Sequence, residues 1–160
     1  MKILEPQVKL LSQGDDEALY IAKCARICYA SNKLVDNEKM CNHLWKNKHH
    51  SMFRHVGVYY KIPYNEVYKA LFIHNLLYNP YCNVAKNSNY CYVSTNRQYA
   101  KEYLQELSQY EIPYEVASNN EVFYSNKMLY YTFVIDTGID ITRELNRKSP
   151  NAISERSTRY

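Results

Sequence analysis

An α+β fold is predicted by this sequence: helices packed on a small, mainly antiparallel sheet, in a single domain spanning residues 1–160. Three observations predict it. Stretches with helical spacing and stretches that alternate like strands follow one another, with no internal repeat and no low-complexity linker. Hydrophobic residues make up 46% and charged residues 22%, a globular balance rather than a disordered one, and the length suffices for a buried core. Tyrosine is the commonest aromatic, with 18 against 4 Phe and 1 Trp, and its apolar ring with a polar tip suits half-buried strands.

The elements follow in order. Residues 2–11 carry the apolar residues of a short opening strand. Gly14-Asp15-Asp16 marks a helix start, after which Ala18, Ala22, Ala25 and Tyr29 fall at helical spacing. A second helix starts at Asp36 and places Met40, Leu44 and Trp45 on its buried stripe. The polar run KHHSMFRH precedes VGVYYKIP, a strand that ends at a proline. Val67 to Leu77 is helical in period, and NPYCN at 79–83 is a turn. CYVSTNRQYAKEYLQEL switches from strand to helix, with Thr95 or Asn96 suited to the N-cap and Ala100, Tyr103, Leu104 and Leu107 on the apolar face. After a polar stretch at 117–127, MLYYTFVI is the strongest strand in the chain. Thr142 is expected to cap a short helix, TRELNRKS, that Pro150 terminates.

Charge and cysteine content exclude several classes. A net charge of +4 is modest for a dedicated nucleic-acid binder but compatible with a phosphate-bearing small ligand, which needs only a few well-placed Arg. No run of eighteen apolar residues is present, and MKILEPQVKLL lacks the apolar core and cleavage site of a signal peptide. Five cysteines without a CxxC pair are the pattern of reduced thiols, so a cytoplasmic location is expected.

Three constellations carry chemistry. His49, His50 and His55 lie within seven residues. They allow a capping loop with a buried histidine, a histidine-lined ligand pocket, or, without supporting HExxH or CxxC ligands, a metal site. Cys24 and Cys28 are spaced i, i+4 on a helix, which favours core packing over nucleophilic use. The C-terminal stretch RELNRKSPNAISERSTRY is the richest. Arg143, Arg147, Arg156 and Arg159 offer forked donors that match phosphate, and Ser154, Ser157 and Thr158 add hydroxyls. Glu144 and Glu155 oppose phosphate but suit the N–H donors of a nucleobase. On charge pattern alone a solvated tail competes with a nucleotide site, and no Gly-rich phosphate loop appears.

Four motifs in order resemble the flavin-dependent thymidylate synthases. That family carries RHR, a spacer and a signature ending in STRY; here Arg147-Lys148-Ser149, a spacer and SERSTRY at 154–160 occupy it. Its upstream H-x-S-x-x-E-H corresponds to His49 through His55, and its early A-R-V-C-Y to ARICY at 25–29. GVYYKIP, NPYCNV and YVSTNRQY then look like one branch of the family, ahead of YTFVI.

The resemblance implies a methyltransferase that converts dUMP to dTMP, with methylenetetrahydrofolate as carbon donor and NADPH reducing it through FAD. It implies FAD contacts at His49, Ser51 and Arg147. It implies dUMP contacts at Arg143, Glu144, Glu155, Ser157 and Arg159, with Arg159 on phosphate. No catalytic residue and no metal are assigned. It also implies sites built across a homotetramer. Lys148 and Ser149 stand where the signature has His and Arg, and Arg54 stands where it has an acid. Family members continue beyond the RY, so the expectation is an N-terminal portion joined by a complementing C-terminal fragment or by further copies. The alternative is a catalytically inactive relative that binds nucleotide or flavin, or acts as an interaction protein. No membrane partner is expected, and nucleic acid is disfavoured.

Overall fold

The computed structural model describes residues 5–29, 36–64, 79–103, 114–117, 128–147 and 152–155. The expected helix at 67–77, the residues Leu104, Leu107 and Pro150, and the side chains of Tyr29 and Tyr103 lie outside what is described. The fold is mixed α+β, with small antiparallel sheets and several helices. It divides into two compact units: residues Met1–Val56 with Tyr131–Tyr160, and Gly57–Tyr130. Among the described residues, no helix is long and apolar enough to cross a membrane.

The first unit begins with strand β1 (Gln7–Leu11), which leads through Gly14 (φ +30) into helix α1 (Glu17–Tyr29). Positive φ is the conformation that glycine adopts without a Cβ penalty. Asp16 caps the helix, its Oδ1 accepting from Leu19 N at 2.8 Å. Tyr20, Ile21, Cys24 and two fully buried alanines, Ala22 and Ala25, form the inward face of α1. Small side chains there let α1 approach helix α2 (Asn37–Lys46) and a 3-10 helix (His50–His55). Arg26 Nη2 ties α1 to the start of α2 by donating to Asn37 Oδ1 at 2.9 Å.

Helix α2 starts where expected, with Asp36 Oδ1 accepting from Lys39 N at 2.8 Å. Its buried face is Cys41 and Leu44, with Met40 and Trp45 half-buried beside them. Trp45 meets Phe53 edge-on at 5.0 Å and closes that side of the core.

The unit is completed by strand β6 (Thr132–Asp136) and helix α4 (Ile139–Asn146). Strand β6 pairs antiparallel with β1, setting Val8 opposite Ile135 and Leu10 opposite Phe133. Period-two alternation puts these four residues on one face, and all four are exposed. The expected strand MLYYTFVI is therefore shorter than its composition indicates. Met128 to Tyr131 are not strand: Met128 enters the core of the second unit, Leu129 packs against it, and Tyr130 N donates to the Tyr59 hydroxyl.

That second unit is a four-stranded sheet in the order β3-β4-β2-β5. Its strands are β2 (Gly57–Pro63), β3 (Asn83–Lys86), β4 (Tyr90–Asn96) and β5 (Glu115–Val116), with helix α3 (Arg97–Tyr103) following β4. The central strand β2 is buried on both faces, Gly57 to Tyr60 without a break, and Ile62 is 1% exposed. Burying Ile62 contributes about 2–3 kcal/mol. Tyr59, Tyr92, Ala117 and Met128 form one cluster of this core. NPYCN is a turn as expected, held by Asn79 Oδ1 accepting from Tyr81 N at 2.8 Å.

Of the two candidate caps for α3, Asn96 is used: its Oδ1 accepts from Tyr99 N at 2.9 Å. The Thr95 hydroxyl instead donates to the Tyr81 carbonyl at 2.8 Å.

Candidate functional site

The site residues suggested by the sequence that fall among the described residues all belong to the first unit. His49 is placed by the end of α2. There Lys48 N donates to Trp45 O and His49 N to Leu44 O, the paired bonds of a Schellman cap, with Lys48 in the left-handed region at φ 62. Glycine is the usual residue at that position because a Cβ is strained there. Lys48→Gly should therefore raise stability by about 1 kcal/mol, read as an increased urea midpoint. A lower midpoint would mean that the lysine side chain contributes more than its backbone strain costs.

The cap delivers His49 and Ser51, both exposed, to the start of the 3-10 helix. The three histidines of this run have different surroundings. His50 stacks on Trp45 at 4.0 Å and 13°, with Nε2 3.1 Å from the Trp45 carbonyl. His55 is 8% exposed, and burial holds its imidazole below the usual histidine pKa, so it is neutral at pH 7. Among the described residues, no group of three His, Cys, Asp or Glu is arranged to hold a metal ion.

His55 Nε2 lies 2.6 Å from Ser154 Oγ, across 99 positions of sequence. Ser154 Oγ also approaches Met52 Sδ at 3.5 Å. The hydroxyl has one proton: it goes to His55 Nε2, or it goes to Met52 Sδ while Nε2–H donates to Ser154 Oγ, according to the histidine tautomer. A serine and histidine at this distance are half of a nucleophile–base arrangement. Among the described residues, however, no carboxylate hydrogen-bonds to the His55 ring. The pair reads as a tether that fixes residues 152–155 to the end of the 3-10 helix.

The other side of that segment is held by α4. The sequence places the helix start at Thr142, but α4 begins one turn earlier, at Ile139 with Gly138 as N-cap. Thr142 lies inside the helix because its Oγ1 sits 2.9 Å from the Ile139 carbonyl and 2.7 Å from Glu155 Oε1. Asn146 Nδ2 donates to Glu155 Oε2 at 2.9 Å. Thr142 and Asn146 are i, i+4 on one helical face, so the Glu155 carboxylate spans a full turn of α4.

Arg147 forms the C-cap of α4 and pairs with Glu144 at 2.6 Å. Both are largely exposed, so the pair contributes little to stability, but it orients the guanidinium. Arg143 is exposed on the same helix. The structure thus places Arg143, Glu144 and Arg147 on α4 with Glu155 against it, and His49 and Ser51 at the start of the 3-10 helix to which Ser154 is tethered. Ser157 and Arg159 lie outside the described residues.

Sequence reasoning did not single out His55, Ser154, Thr142 and Asn146 as a connected set. The signal for His55 was present as the last position of the H-x-S-x-x-E-H pattern; Asn146 had none.

Burial disfavours the thiolate at Cys24, Cys82 and Cys91. The Cys24 thiol is pushed up to about 11, and none of the five cysteines is in a disulfide. A cavity of about 420 Å³ lies in the second unit, lined by Pro63, Tyr64, Ser88, Asn89 and Tyr90, and contains none of the residues above. Comparisons with protein-family models, curated proteins and solved structures found no match to this chain.

Proposed function

We propose that this chain is a flavin-dependent thymidylate synthase, or the portion of one that carries its signature, making dTMP from dUMP. The observation that carries this reading is the 2.6 Å contact between His55 and Ser154. It joins two of the four motifs that carry the resemblance, through residues 99 positions apart. Their side chains are of the right chemistry for the ligands: exposed imidazole and hydroxyl donors at His49 and Ser51, and cations at Arg143 and Arg147. This donor set fits FAD, whose phosphates and ring edges accept hydrogen bonds.

When bound, the reduced flavin supplies the hydride. The chain's own part is to bind and orient. His49 and Ser51 donate to the flavin, and Arg147, steadied by Glu144, supports it. Arg143 and Glu144 face dUMP. Glu155 accepts from the pyrimidine, with Ser157 and Arg159 completing the nucleotide contacts. Methylenetetrahydrofolate and NADPH complete the set of reactants. The exposed apolar face formed by Val8, Leu10, Phe133 and Ile135 supports the homo-oligomeric part of this reading, since apolar patches of this kind mark interaction surfaces.

The test is NADPH oxidation by purified protein, with bound FAD measured in the same sample. Oxidation that requires dUMP is expected; oxidation indifferent to dUMP, or a folded chain that takes up no flavin at saturating FAD, would sink the proposal. The second reading is a relative that binds nucleotide or flavin without turnover. It is favoured by Lys148, Ser149 and Arg54, which replace two signature positions and reverse a third. It predicts bound FAD and dUMP with no oxidation.

A further inference from the structure

We propose that the His55–Ser154 hydrogen bond is a positioning contact that holds the Glu155 carboxylate as a fixed acceptor for an N–H donor of the ligand. The pyrimidine identity of that ligand rests on the thymidylate synthase reading; the positioning contact does not.

Residues 152–155 form a strap with alternating exposure: Ala152 and Ser154 are half-buried, Ile153 and Glu155 exposed. The alternation sets adjacent side chains on opposite sides of the segment. Ser154 therefore reaches inward to His55 while Glu155 reaches outward to Thr142 and Asn146. The inward anchor is firm. His55 is buried, and its own carbonyl lies 3.3 Å from the Thr132 hydroxyl of β6, the strand that runs on into α4. A closed circuit results, from the 3-10 helix to β6, along α4 and back through the strap.

The outward anchor is weaker by itself. Water competes for each donor around an exposed carboxylate, so two surface hydrogen bonds hold it loosely. Fixing the neighbouring residue to a buried imidazole removes much of the strap's freedom and so narrows where Glu155 can sit. The Thr142 and Asn146 contacts engage one site on each oxygen. A carboxylate has about four lone-pair sites, which leaves about two for a ligand. An acceptor whose position is set before binding discriminates between ligands better than a mobile one.

His55 and Ser154 are positioning residues in this scheme, and neither needs to touch the ligand. The test is made on the full chain at saturating FAD. Amide hydrogen exchange across residues 152–155 is measured without nucleotide, and dUMP affinity is measured by calorimetry. Ser154→Ala should raise exchange in the strap at least tenfold, leave the α2 amides unchanged, and weaken dUMP about tenfold. Ser154→Thr, which keeps the hydroxyl, and His55→Gln, which keeps an acceptor, should hold both readouts within about twofold of the unmodified chain.

Unchanged strap exchange in Ser154→Ala overturns the positioning contact, whatever dUMP does. Faster exchange with undiminished dUMP affinity overturns its role in ligand placement. A chain that ignores dUMP altogether, while Ser154→Ala still loosens the strap, sinks the synthase reading and leaves the positioning contact standing.

Discussion

Gly57→Ala should destabilise the protein by about 3 kcal/mol, lowering the urea midpoint by about 1 M or more. Gly57 opens β2 and pairs with Asn96 of β4. A Cβ built on it would lie 2.5 Å from Tyr130 Cβ and 2.8 Å from Tyr130 Cγ. These atoms belong to the base of the tyrosine side chain, so no rotamer change moves Cβ away. Tyr130 is also held at both ends: its backbone N donates to the Tyr59 hydroxyl at 3.0 Å, and its own hydroxyl donates to the Tyr81 carbonyl at 3.0 Å. Burial pushes that phenol up to about 12, so it remains a donor throughout the neutral range. The clash therefore has to be relieved by moving backbone at one of the two inner strands of the sheet. Amide exchange should rise first in β2 and β4. A midpoint within experimental error of the unmodified chain would mean that Tyr130 can retreat, and would contradict the anchoring described for it.

His55→Ala is expected to cost about 2–4 kcal/mol at pH 7, since it removes a buried ring and the hydrogen-bond partner of the Ser154 hydroxyl. The same residue gives stability a pH dependence of known sign. Burial lowers the folded-state pKa of His55 below its usual value, so the unfolded chain takes up a proton before the folded one. Above pH about 6.5 the residue is neutral in both states and has no effect. As pH falls below that, stability declines by at most about 1.4 kcal/mol per pH unit, until the folded-state pKa is passed and the dependence ends. His55→Gln removes the titrating group and should flatten this part of the curve. The observable is the difference in urea midpoint between the two proteins at pH 7.5 and at lower pH. A difference that stays constant with pH, or grows in the opposite sense, would place His55 in a wetter or more acidic environment than its burial indicates.

Both predictions turn on contacts that link residues far apart in sequence, and such contacts separate what could be read from the chain from what could not. The helix starting at Asp36 was legible because its cap bonds Lys39, three residues on. The start near Asp16 was legible for the same reason. At Thr95 and Asn96 both side chains fit a cap, and the choice was made by the Tyr81 carbonyl, fourteen positions away, which takes the threonine. Thr142 fits a cap by local rules, yet its hydroxyl faces Glu155, thirteen positions on, and the helix starts a turn earlier. MLYYTFVI reads as one strand because its β-propensity is continuous. Its first residues go instead to the core around Tyr59 and Tyr92, and pairing with β1 begins only at Thr132.

The candidate site divides in the same way. His49, Ser51, Arg143, Arg147 and Glu155 were legible as residue types in a motif order. The sequence by itself determined the alternation of helices and strands, two of the four described helix caps and where the donor-rich segments fall along the chain. Each of these depends on hydrogen bonds or packing periods within a few residues, where the chain's own geometry sets the partners. The tertiary structure alone decided that Ser154 meets a buried His55 and that Glu155 lies along Thr142 and Asn146. It also decided that Gly57 leaves room for Tyr130 and no more. Those partners are chosen by which surfaces are buried together, and burial is a property of the folded chain rather than of any segment of it.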